Sequence, residues 1–60
     1  MSQVYNPEAE QIARIERLEL DARDLRRRIE RVRNAEDRRV LNRQLEEIKQ
    51  EVSTLQGRLP

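Results

Sequence analysis

The chain has no cysteine, no histidine, no tryptophan and no phenylalanine. Without cysteine there is no disulfide, no thiol nucleophile and no soft metal ligand, and nothing reports on the redox compartment. Without histidine the commonest general base is missing, as are the Glu-x-x-His pairs that build di-iron bundles. A lone tyrosine is the only aromatic residue, which leaves no platform for stacking bases and little bulk for a globular interior. One glycine and two prolines leave no material for a glycine-rich phosphate loop. No apolar run approaches the roughly 18 residues of a membrane span. Met1 to Gln11 lacks the basic-then-apolar order of a secretion signal. The expectation is a soluble cytoplasmic protein with no membrane partner.

What the chain has in quantity is charge. Charged residues make up 42% of its 60 positions, 13 basic against 12 acidic. Disordered chains and long helices share such a composition, and sustained apolar periodicity separates the two. Here the periodicity is present. Ile15, Leu18, Ala22, Leu25, Ile29 and Val32 step alternately by three and four residues, and Leu41, Leu45, Ile48, Val52, Leu55 and Leu59 do the same after a break. This spacing keeps one narrow stripe of a helix apolar, the seam through which coiled-coil helices pack.

Local signals place two helices. Residues 1–5 form a short tail. Asn6-Pro7-Glu8 then starts a helix: Asn6 caps, Pro7 suits the first helical position, and Glu8 and Glu10 sit at the positive end of the dipole. This first helix is predicted over about residues 7–33. Asn34 is a second N-cap, with Ala35, Glu36 and Asp37 in the turn after it, so a second helix is predicted over about residues 35–56. Gly57 fits the left-handed residue that closes a helix, and residues 57–60 form a closing tail. No composition shift marks a second domain.

Two architectures compete for these helices. At about 100° per residue, the stripe around Leu25 points roughly 130–150° away from the stripe around Ile48. One long bent helix would carry its seams on nearly opposite sides. A reversal near residues 33–37 brings them face to face, and the layers then match: Ile15 with Leu55, Leu18 with Val52, Ala22 with Ile48, Leu25 with Leu45 and Ile29 with Leu41. A half-heptad shift, pairing Leu18 with Leu55, Leu25 with Ile48 and Val32 with Leu41, also matches. The fold class is all-α, an antiparallel helical hairpin that dimerises into a four-helix bundle or coiled coil. Ile12 and Val40 are expected to widen the core, and Tyr5 to fold over the open end near Leu59. Glu10–Arg14, Glu19–Arg23 and Asp24–Arg28 have the spacing of helical ion pairs.

Function divides into two classes, neither enzymatic. Carboxylates such as Asp21, Asp24, Glu46, Glu47 and Glu51 have no histidine or cysteine to work with and read as a solvated helix face. No catalytic residue, cofactor or metal site is predicted. A lone hairpin of this size buries too little to be robust, so the twelve stripe residues predict self-association, with a dimer favoured over higher states. The leading reading is an adaptor, regulator or assembly element for another protein. The alternative uses Arg26, Arg27, Arg28, Arg31, Arg33, Arg38, Arg39 and Arg43, which a hairpin gathers near its loop, to neutralise RNA or DNA phosphates. From Arg26 to Arg43 there are eight arginines and three acids, net +5, whereas residues 1–25 carry −3 and residues 44–60 carry −1. Ends of opposite sign favour an antiparallel pair of hairpins over a parallel one.

Overall fold

A computed structural model describes residues 6–59. It contains two helices, α1 over Pro7–Arg31 and α2 over Ala35–Arg58. They pack against each other as a hairpin, which rules out the single long bent helix. The residue 1–5 tail, the placement of Tyr5 over Leu59, and Pro60 lie outside the described residues.

Each helix begins where a side chain replaces the missing backbone acceptors of its first turn. Asn6 Oδ1 accepts from the Glu8 and Ala9 amides at 3.1 and 3.2 Å. Asn34 Oδ1 accepts from the Glu36 amide at 2.8 Å. Acidic residues follow in both first turns, Glu8 and Glu10 in α1 and Glu36 and Asp37 in α2. Arg28 and Arg31 close α1 at the negative end of its dipole.

The reversal is shorter and earlier than the sequence suggests. Helix α1 stops at Arg31, and Val32 is already extended at φ −77°, ψ 129°. Asn34 is extended too, at φ −83°, ψ 127°, as an N-cap must be. An extended Val32 and an extended cap turn the chain through Val32-Arg33-Asn34, so the first helix ends two residues before its expected end. Arg38 Nη2 donates to the Val32 carbonyl at 3.0 Å and ties α2 back onto the turn.

At the other end, α2 continues through Gly57 to Arg58. Gly57 is not left-handed, since no described glycine has a positive φ. The helix closes instead on Leu59, an extended and half-buried cap whose amide donates to the Gln56 carbonyl at 3.2 Å, so no left-handed residue is needed.

The result is a single layer of two helices. Its Cα extents are 53 × 22 × 11 Å, so the layer is one helix thick.

Candidate self-association seam and arginine cluster

The seam is built by the two stripes. Ile15, Ala22, Leu25, Leu45 and Leu55 are buried, each at 6–8% exposure. Leu18, Ile29, Val32, Leu41, Ile48, Val52 and Leu59 are half-buried. At the centre, Ala22, Leu25 and Leu45 form one cluster against which Ile29, Leu41 and Ile48 pack. Even so, no side chain among the described residues is fully enclosed. A two-helix layer covers its stripes from one side each and leaves their flanks open.

An ion pair fixes the register. Arg14 Nη2 donates to Glu51 Oε1 at 2.7 Å across the two helices. Packing Ala22 on Ile48 sets Arg14 level with Gln56, about five residues or 7 Å along the axis from Glu51. The half-heptad shift would set Arg14 level with Leu59, about 12 Å away, beyond the reach of the two side chains. The central cluster and the ion pair therefore both fit the layers Ala22/Ile48, Leu25/Leu45 and Ile29/Leu41.

The hairpin has two unlike sides. One carries the Arg14–Glu51 pair, with Asp21, Asp24 and Arg28 beside Leu25 and Ile48. The other is an open groove with Ala22, Ile48 and Val52 in its floor and Glu19, Arg23 and Lys49 on its rims. Ala22 is the smallest stripe residue, and the groove lies where it leaves room.

Arg26, Arg27, Arg28, Arg31, Arg33, Arg38, Arg39 and Arg43 are all exposed, on the loop-proximal parts of both helices and in the turn between them. Arg38 is occupied by the Val32 carbonyl. Among the described residues, ion pairs form at Arg14–Glu51 and Glu46–Lys49, so none of these eight arginines is held by a carboxylate. Arg14 reaches across to α2 instead of back to Glu10, and Glu19–Arg23 and Asp24–Arg28 stay apart. Exposed i,i+4 contacts gain too little to fix two long side chains.

Ile12 and Val40 do not widen the core as expected, and Leu20 lies exposed as its position opposite the stripe implies. Ile12, Leu20 and Val40 are 45%, 57% and 56% exposed. For Leu20, opposite the stripe, this is the ordinary position of an isolated surface leucine. Ile12 and Val40 flank seams that have only one partner helix, which is too narrow to reach them.

Among the described residues, no group of three or more aspartates or glutamates is placed to hold a metal ion. No described helix is long and apolar enough to cross a membrane. Comparison of the chain with protein-family models, curated proteins and solved structures finds no match.

Proposed function

We propose that this chain is a non-enzymatic cytoplasmic interaction protein, a coiled-coil hairpin that pairs with a second copy and serves as an adaptor, regulator or assembly element for another protein. One observation carries the reading: seven of the twelve stripe residues are only half-buried in the single hairpin. A seam with this much apolar surface still open is completed when another helical layer covers it. The absence of histidine and cysteine from the sequence removes the usual catalytic groups and supports the non-enzymatic reading. Sedimentation velocity on the purified chain tests it. The expected result is a compact particle of two chains; a helical particle of one chain overturns self-association.

A second reading rests on the eight exposed arginines at the loop end. If they bind RNA or DNA, affinity falls steeply with salt and is lost in the variant Arg27→Glu, Arg31→Glu, Arg39→Glu. A gel-shift assay at low salt without any shift dismisses it.

A further inference from the structure

We infer that the second copy docks on the groove side of the hairpin, with α1 lying antiparallel on the partner's α1 and α2 on the partner's α2. This rests on the self-association proposed above and specifies its face and orientation.

The charges along the groove rims carry the inference. Glu19, Arg23 and Arg26 line the groove from α1. Glu16 lies farther out, on the outer edge of α1 beside Glu19, Leu20 and Arg23, and all four charged residues are exposed. They are arranged with opposite signs about a midpoint at Asp21: Glu16 mirrors Arg26, and Glu19 mirrors Arg23. A two-fold axis through that midpoint, perpendicular to the helices, therefore sets each acid of one chain against an arginine of the other. On α2, Lys49 lines the groove and Glu46 lies two turns before the groove residue Ser53. These two mirror each other about a point between Glu47 and Ile48. With Ala22 packed on Ile48, the α1 and α2 midpoints stand within about 2–3 Å of the same height along the hairpin. One axis serves both helices.

The other side does not offer this. The same two-fold there sets Asp21 against its own copy and Arg14 against Arg28, and it matches Arg17 with Leu25 and Asp24 with Leu18, so no charge finds its opposite. That side is also bridged by the Arg14–Glu51 pair, whereas the groove floor of Ala22, Ile48 and Val52 is open to receive side chains. An antiparallel arrangement sets each basic loop end beside an acidic open end as well.

Charge exchange between copies tests the geometry. One variant, Glu16→Arg with Glu19→Arg, makes the α1 rim wholly basic; the other, Arg23→Glu with Arg26→Glu, makes it wholly acidic. Each alone is expected to dimerise about tenfold more weakly than the unaltered chain, and an equal mixture to recover a two-chain particle. If each variant dimerises like the unaltered chain, or the mixture fails to recover, the face or the orientation is wrong. A parallel dimer gives no recovery, because α1 then meets the partner's Glu46 and Lys49. An unaltered chain that is itself a monomer defeats the self-association reading rather than this one. Circular dichroism confirms that the variants remain helical. Should they unfold, a nitroxide on Arg33→Cys in the otherwise unaltered chain reads the orientation directly. Loop-to-loop distances near 35–40 Å are expected, from helices of about 25 residues at 1.5 Å each, and distances under about 20 Å overturn it.

Discussion

Arg14 reaches Glu51 across the hairpin with an N–O distance of 2.7 Å, joining positions 37 residues apart in the chain. It is the one cross-helix ion pair among the described residues, and it distinguishes two registers that the apolar stripes alone leave open. Its side chains are 65% and 41% exposed, so it reports geometry more than it supplies stability.

A double-mutant cycle on Arg14→Ala and Glu51→Ala is therefore expected to give a coupling of about 0.2–1 kcal/mol that shrinks with added salt. Urea unfolding of the parent, both single variants and the double variant measures it. Zero coupling at low salt would mean that the two side chains do not meet in solution.

Leu25→Asp combined with Ile48→Asp places two carboxylates in and beside the central cluster. Burying a charge without a partner costs several kcal/mol, more than a two-helix domain of this size has to spare. Both helicity and the two-chain mass should disappear. Retention of both in circular dichroism and sedimentation would refute the seam.

Asn34→Ala removes the single side-chain cap of α2 and should cost about 1 kcal/mol. Asn34→Asp should restore most of it. Asn6→Ala removes two hydrogen bonds but acts at an end that frays independently, so its effect on the melting transition should be smaller. Thermal melts of the three variants decide the order, and equal losses at both caps would contradict it.

Gly57→Ala should stabilise the chain by about 0.5–1 kcal/mol. Gly57 is helical, and a Cβ added there meets nothing within 4 Å. Had Gly57 been the left-handed closing residue, the same change would destabilise. The sign of the shift in a denaturation curve separates the two conformations.

The groove-side pairing adds the rescue of Glu16→Arg, Glu19→Arg by Arg23→Glu, Arg26→Glu as the most specific expectation of all. It fails under any other face.

Much of this architecture is local and therefore legible in the chain itself. Asn6-Pro7 and Asn34 mark helix starts because a cap needs only its own residue and the next three. The alternation of three and four places Ile15 through Val32 and Leu41 through Leu59 on single stripes, and every one of those twelve residues is buried or half-buried. The offset between the stripes also implies the reversal. These signals depend on spacing along one helix, so they survive without knowledge of the partner helix.

What the sequence did not determine involves the relation between helices. Two registers satisfied the same apolar layers, and only the reach of Arg14 to Glu51 selected one. Gly57 had the chemistry of a helix stop, yet α2 runs through it to Arg58 and closes on an extended Leu59 instead of a left-handed cap. Ile12 and Val40 had the composition of core residues, yet a layer one helix thick is too narrow to cover them. The two sides of the hairpin became distinct only once α2 was placed, because a rim consists of residues from both helices. Periodicity sets which face of each helix is apolar; the third dimension decides which neighbours meet across it, and how much of the seam remains open.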